Sequence, residues 1–181
     1  MGDDPPVPGA VEVASEVQVD RAIKRMAAAV QGTIASADCV LLGIMLGGLV
    51  PLARVVQHLD GDFLLDYCQV SRYRGGTRGG DIEWLRAPRE NLSGRTVVLV
   101  DDIYDEGVTL DFVTEACFGC GAAQVARAVL VRKVHDRVVG TRPPDIVGLE
   151  VDDRYVFGCG MDYRHRWRHL RSLWALEPDS A

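Results

Sequence analysis

Thr96-Val-Val-Leu-Val-Asp-Asp-Ile-Tyr-Asp-Glu-Gly-Val-Thr-Leu110 joins a β-branched apolar segment, a group of acids and a glycine turn in one short run. Thr96 to Val100 suits a strand buried on both faces of a parallel sheet, because such strands read as unbroken apolar runs rather than alternating ones. The run then turns acidic, with Asp101 and Asp102 adjacent and Asp105 close behind. In open α/β sheets ligands bind outside the carboxyl ends of strands, so these acids are predicted to face a ligand crevice. Past Glu106-Gly107-Val108-Thr109, the apolar positions Val108, Leu110, Phe112, Val113 and Ala116 follow as an amphipathic helix. Free N–H groups and the helix dipole at such a start bind phosphate, while Gly107 permits a tight turn and Thr109 offers a hydroxyl. Carboxylates beside a phosphate cradle point to a phosphorylated, metal-bound substrate. Neither a Walker A loop nor a dinucleotide fingerprint is present. The plain alternative is an acidic loop that only caps its helix, but hydrophobic strands rarely end in so many acids without a ligand.

The flanking sequence repeats the strand, loop, helix unit. Cys39 to Met45 is a second apolar run feeding Leu46-Gly47-Gly48, and Val50 to Leu59 has helical periodicity with Pro51 in its first turn. Glycines there let backbone N–H groups approach an anion, or simply make a turn. Phe63 to Tyr73 is a third strand candidate running into Arg74-Gly-Gly-Thr-Arg-Gly-Gly80, read as a mobile loop or a hairpin tip, with Asp81 to Leu85 returning. Ala122 to Arg132 predicts another strand, with Lys133 at its carboxyl end and a charged loop up to Pro143-Pro144. From Ser15, apolar residues at helical spacing predict an amphipathic helix ending near Gly32 or soon after. Residues 1–13, rich in Asp, Pro and Gly, read as a disordered tail before a single domain over 14–181.

At 181 residues and 48% hydrophobic content the chain can bury one substantial core. A net charge of −6 argues against nucleic acid as a partner. The absence of a long apolar run or signal-like N-terminus predicts no membrane association and a cytoplasmic protein. Five scattered cysteines do not form a disulfide framework, and Cys117-x-x-Cys120 is read as helix packing rather than half a zinc site. His58, His135, His165 and His169 show no ligand spacing and are read as solvated or packed.

Val98-Leu-Val-Asp-Asp-Ile-Tyr-Asp-Glu-Gly-Val-Thr109 resembles the phosphoribosyl-pyrophosphate (PRPP) motif of type I phosphoribosyltransferases. Pro144-Asp-Ile-Val-Gly-Leu-Glu-Val-Asp-Asp-Arg-Tyr-Val-Phe-Gly-Cys-Gly-Met-Asp-Tyr163 resembles the purine-binding segment of the hypoxanthine-guanine branch. The resemblance runs roughly from Cys39 to Leu176. It implies a Rossmann-like α/β core, a parallel sheet of about five strands flanked by helices, under a small hood built from the terminal regions. It also implies transfer of phosphoribose from PRPP to hypoxanthine or guanine with Mg²⁺ as cofactor, in a homodimer or homotetramer. Asp101 and Asp102 would hold ribose hydroxyls and metal, Asp105 would be the catalytic base toward purine N7, and Glu106, Gly107, Val108 and Thr109 would cradle the 5′-phosphate. Leu46, Gly47 and Arg168 would meet pyrophosphate. Family members often carry Lys where Leu46 stands, so backbone donors must suffice there. Lys133 would donate to the 6-oxo group of the purine, Tyr155 would stack on the base, and Val156 would read its edge through the backbone. Asp162 would contact the second metal through the pyrophosphate side and belong to the purine-binding set, and Ser71, Arg72 and Tyr73 would begin a lid. Glu106 stands where a threonine is familiar, and its side chain is expected to turn toward solvent or an arginine. A nucleotide-sensing regulator of the same fold, or an enzyme preferring xanthine, are the other readings.

Overall fold

The computed structural model describes residues 5–35, 38–72 and 82–176. Two sheets organise them. The larger has the order β4-β3-β2-β5-β6-β7, where β2 is Cys39–Met45, β3 Leu64–Arg72, β4 Ile82–Arg86, β5 Thr96–Tyr104, β6 Gln124–Val134 and β7 Ile146–Asp152. All neighbouring strands are parallel except the edge pair β3 and β4. From β2 the chain steps outward to β3, then returns to the other side of β2 and steps outward again through β5, β6 and β7. The order therefore reverses between β2 and β5, where the loops leaving two adjacent strands splay apart and open a crevice.

Helix α1, Glu16–Ile34, starts with a capping box: Ser15 Oγ accepts from Gln18 N–H, and Gln18 Oε1 accepts from Ser15 N–H at 2.8 Å. It buries Val19, Ile23, Met26 and Val30. Helix α2, Leu49–Val56, is shorter than its periodicity predicts, because His58 and Leu59 bond back to Val55 and Val56 as a tightened final turn. Helix α3, Val108–Gly119, follows β5 directly. Cys117 is buried and Cys120 exposed, and all five cysteines are free thiols.

The smaller sheet, β1-β9-β8, joins Ala10–Ala14 to Leu173–Leu176 and Val156–Phe157. It is the hood expected from the terminal regions, but it corrects the reading of residues 1–13 as a tail. Ala10, Val11 and Glu12 pair antiparallel with Leu176, Ala175 and Trp174, which gives the backbone of this Pro- and Gly-rich segment partners that local composition cannot show. A second correction concerns β5, which continues past Val100 through Asp101 and Asp102 to Tyr104. The long β6 still offers it partners there, up to Tyr104 against Arg132.

A buried ion pair ties α3 to the segment after β6. Arg127, 1% exposed, lies 2.7 Å from Asp111 in the first turn of α3, and the other Asp111 oxygen accepts from the Thr141 N–H and hydroxyl. Removing one partner of such a pair strands a charge in the interior. Asp111→Ala is therefore expected to cost about 3–5 kcal/mol of unfolding free energy in urea titrations, with most of it regained when Arg127→Met is added.

Candidate functional site

The reversal point carries a cleft of about 340 Å³, at the lower end of the range for small-molecule sites. Gly47, Asp101, Asp102, Asp105, Gly107 and Thr109 are among its walls. Two loops build it. On the β2 side the Met45–Leu46 peptide bond is cis, the Leu46 side chain is half exposed, and Gly47 lies flat against the acids: a Cβ there would sit 2.0 Å from a carboxylate oxygen of Asp102. On the β5 side Gly107 starts α3 at φ 88°, a left-handed conformation that favours glycine, and a Cβ there would strike the Tyr104 ring at 2.9 Å. Gly107, Thr109 and Leu110 at the start of α3 line the cleft.

Asp101 is buried and accepts the Asp102 N–H at 2.9 Å. Burial pushes the Asp102 carboxyl above the ordinary range, against the opposing effects of the Asp101 hydrogen bond and the Arg168 charge. Arg168 also holds Asp162 at 2.6 Å and the Gly160 carbonyl, and the second Asp162 oxygen accepts from His165 N–H. The hood reaches the cleft wall at Gly160, where an added Cβ would sit 2.1 Å from the Gly47 carbonyl oxygen. Asp162 is thus engaged by Arg168 rather than joined to the Asp101 and Asp102 pair.

Asp105 stands at the far wall as the centre of a charged cluster. Its Oδ2 lies 3.0 Å from Lys133 Nζ, and its Oδ1 lies 2.6 Å from His135 Nε2 and 3.4 Å from Arg137. Arg137 also pairs with Asp153 at 2.6 Å and approaches Glu106 at 3.7 Å. Burial pushes the Asp105 carboxyl up, but Lys133, His135 and Arg137 outweigh it and hold the group below the ordinary carboxylate range. Donor atoms of Asp105, His135 and Asp153 lie within 4.8 Å of one another, as metal ligands would. Lys133 and Arg137 already satisfy these carboxylates, however, so the cluster is a charge network in its own right. Glu106 turns toward an arginine, as expected, while its carbonyl accepts the Val139 and Gly140 N–H groups.

His135 is packed, one of the two expected states, with its side chain 5% exposed, but its bond to Asp105 was not foreseen. Arg137 and Asp153 were likewise missed. The strand ends at Val134 and the chain bends at His135, so the alternation of Lys133, His135 and Arg137 in the sequence could not by itself place them together.

Toward the base side, Tyr155 is half exposed, donates its hydroxyl to the Asp162 carbonyl at 3.0 Å and meets Tyr163 edge-on. Val156 is buried in β8, paired with Ala175. Ser71 and Arg72 close β3 opposite Glu83 and Ile82. Tyr73 and the Arg74–Gly80 loop lie outside the described residues.

Residues 12–164 match the model of the phosphoribosyl transferase domain. The chain belongs to the phosphoribosyltransferase family. Hypoxanthine-guanine phosphoribosyltransferase of Bacillus subtilis is 27% identical over 165 residues, covering 91% of both chains. The enzyme of that name from Lactococcus lactis is 32% identical over 141 residues, covering 77% of this chain and 76% of its own. The fold matches that of a hypoxanthine phosphoribosyltransferase from Staphylococcus aureus at a TM-score of 0.86 and 24% identity, covering 93% and 92% of the two chains. Among the described residues no helix is long and apolar enough to cross a membrane.

The packing of Gly47 sets a stability test. Gly47→Ala must displace the Asp102 carboxylate and is expected to cost about 1–3 kcal/mol in chemical denaturation, as overpacking does. Gly32→Ala, inside α1 with nothing within 4 Å of the added Cβ, should instead gain about 0.5–1 kcal/mol.

Proposed function

We propose that this phosphoribosyltransferase transfers the phosphoribosyl group of PRPP to hypoxanthine or guanine, giving IMP or GMP and pyrophosphate. One observation carries the reading: Asp105, in the loop after β5 that carries the PRPP motif, is bonded to Lys133, the residue matched to recognition of a 6-oxopurine. The names of the relatives in Bacillus and Lactococcus support the same substrate class.

In the reaction the bond from C1′ to the pyrophosphate oxygen breaks and one to purine N9 forms, while the N7 proton leaves. The α3 amides and Thr109 hold the 5′-phosphate, and the amides around Leu46 and Gly47 face the pyrophosphate with Arg168 beyond them. Asp101 and Asp102 fit a hard divalent cation, being oxygen donors whose burial leaves negative charge to be met, and Asp162 lies on the pyrophosphate side. Bound there, Mg²⁺ supplies charge neutralisation for the departing pyrophosphate. Tyr155 stacks on the base and Val156 reads its edge. When the purine arrives, Lys133 exchanges the Asp105 carboxylate for the 6-oxo oxygen. That exchange removes the strongest influence holding the acid form of Asp105 down, so the carboxylate becomes a better base when N7 must lose its proton.

A homodimer or homotetramer is supported by the outward face of β3 and β4, where Leu65 and Leu85 are more than half exposed and Tyr67 carries the Arg86 guanidinium over its ring. Light scattering on the purified protein tests it. The reaction is tested by supplying PRPP, Mg²⁺ and a panel of hypoxanthine, guanine, xanthine, adenine and a pyrimidine, and following pyrophosphate release. Absence of release with every 6-oxopurine overturns the reading.

Two substitutions check the roles. Asp105→Asn should leave PRPP binding intact and lower the single-turnover rate by about 10²- to 10⁴-fold, whereas a wild-type rate removes Asp105 as the base. Lys133→Met should weaken hypoxanthine and guanine together in kcat/KM. An unchanged kcat/KM for both would show that the 6-oxo group is read elsewhere.

A further inference from the structure

His135 contacts the proposed base and has no part in the chemistry described so far. Its two ring nitrogens are both engaged. Nδ1 accepts the main-chain N–H of Arg137 at 3.0 Å, and Nε2 meets Asp105 Oδ1 at 2.6 Å. An amide N–H donates only, so Nδ1 is the unprotonated nitrogen and Nε2–H is the donor to the carboxylate. The buried ring is therefore held as one neutral tautomer aimed at one oxygen of Asp105.

The two Asp105 oxygens have different partners. Lys133 binds Oδ2, while His135 and the more distant Arg137 bind Oδ1. Lys133 can leave when an exocyclic oxygen competes for its ammonium group. His135 has no such alternative, because its ring is packed and its orientation is fixed from the backbone of Arg137.

We infer that His135 is a positioning residue that clamps Oδ1 of Asp105 and so selects Oδ2, the oxygen Lys133 vacates, as the atom that takes the purine proton. This rests on the reading of Asp105 as the base. Without the clamp the carboxylate can rotate about its χ2 torsion and follow Lys133 or Arg137. Oδ2 would then face the base for only part of the time, and positioning losses of this kind appear in the rate of chemistry. The other charged groups around the pair are Lys133 from β6, Arg137 from the following loop, Glu106 from the loop before α3, and Asp153 after β7.

Two amide substitutions separate the two nitrogens. His135→Asn keeps an acceptor for the Arg137 N–H but cannot reach Asp105, whereas His135→Gln places an amide N–H near the former Nε2. Single-turnover rates at saturating PRPP and hypoxanthine should fall roughly tenfold in the Asn variant with KM for PRPP unchanged, and the Gln variant should return to within about threefold of wild type. The acid limb of the rate profile gives an independent sign. A donor to Oδ1 favours the carboxylate, so its loss raises the Asp105 pKa and moves the limb to higher pH in the Asn variant, and the Gln variant should restore it. His135→Leu repeats the loss if the Asn variant melts early. Long-range ¹H–¹⁵N spectra of the free wild-type protein should show the Nε2–H tautomer.

Equal impairment of the Asn and Gln variants, an Asn variant with wild-type rate and limb, or an Nδ1–H tautomer each overturns the inference. Asp105→Asn tells its failure from that of the parent reading. If that variant is slow while His135→Asn is not, only the clamp is wrong, whereas a wild-type rate in Asp105→Asn removes the base and the clamp together.

Discussion

Two adjacent carboxylates at the end of a strand with neighbours on both sides impose the constraint around which this molecule is built. Asp101 is buried, and burial disfavours ionisation of Asp102 beside it. Charge in such a place requires hydrogen bonds, a counter-charge or a bound cation. The fold supplies part of that need from three directions. The Asp102 N–H bonds to Asp101, the β2 loop presses Gly47 onto the Asp102 carboxylate, and the hood brings Arg168 into its field. What remains of the negative charge suits a divalent cation carrying a pyrophosphate. The hood is thus more than a cover: Gly160 packs on Gly47, and the Asp162 to Arg168 pair extends the same electrostatic network from the second sheet.

Asp105 faces the opposite problem. It is surrounded by cations, and in the free protein they hold its carboxyl low, which suits an anion at rest better than a base at work. Its basicity is therefore conditional on Lys133 moving to another acceptor. A 6-oxopurine offers one, whereas a base with an amino group at that position offers a donor that repels the ammonium. On the proposed reading, recognition of the base and activation of the carboxylate become one event. The cluster need not hold a metal, because Lys133 and Arg137 supply the positive charge and both lie against Asp153 as well as Asp105.

Much of this was legible in local sequence. Cys39–Met45 is the strand its unbroken apolar run predicts, and Gly107 opens α3 where the motif requires a left-handed residue. The order reversal that creates the cleft follows from repeated strand, loop, helix units. What escaped was set by distant partners. β5 reaches Tyr104 because β6 continues beside it, and Ala10–Ala14 becomes a strand because Leu173–Leu176 returns from the other end of the chain. His135 and Arg137 follow Lys133 at alternate positions, but a charged loop also shows alternation by chance. Only the register of β5 on β6, which brings Tyr104 opposite Arg132, reveals that the next residues of both chains must meet. Arg127 was hidden for a similar reason: an arginine amid Val125, Ala126 and Ala128 reads as a surface interruption until Asp111 is seen beneath it.

Glu106 and Leu46 depart from the usual pattern of the family, and in both places the backbone keeps what the side chain gives up. Leu46 projects outward, and with the Gly48 and Leu49 N–H groups bonded to the Ile44 and Leu46 carbonyls, the donors this loop would offer are the amides of Leu46 and Gly47. Glu106 would repel a phosphate if its carboxylate pointed into the α3 cradle, since unlike partners are needed at a helix N-terminus only on the ligand side. Arg137 draws it the other way. The Glu106 carbonyl meanwhile accepts the Val139 and Gly140 N–H groups, so the loop keeps its path whatever the side chain does. Gly140 can approach that closely because it faces Gly107 at a Cα separation that leaves no room for a Cβ on either residue. The end of β6 and the segment after it therefore touch the loop before α3 at Glu106 and Gly107 and hold Asp105 through Lys133 and His135. On the proposed reading this one stretch sets the distance between the two halves of the substrate site, and the buried pair of Arg127 and Asp111, bonded on to Thr141, helps to hold it in place.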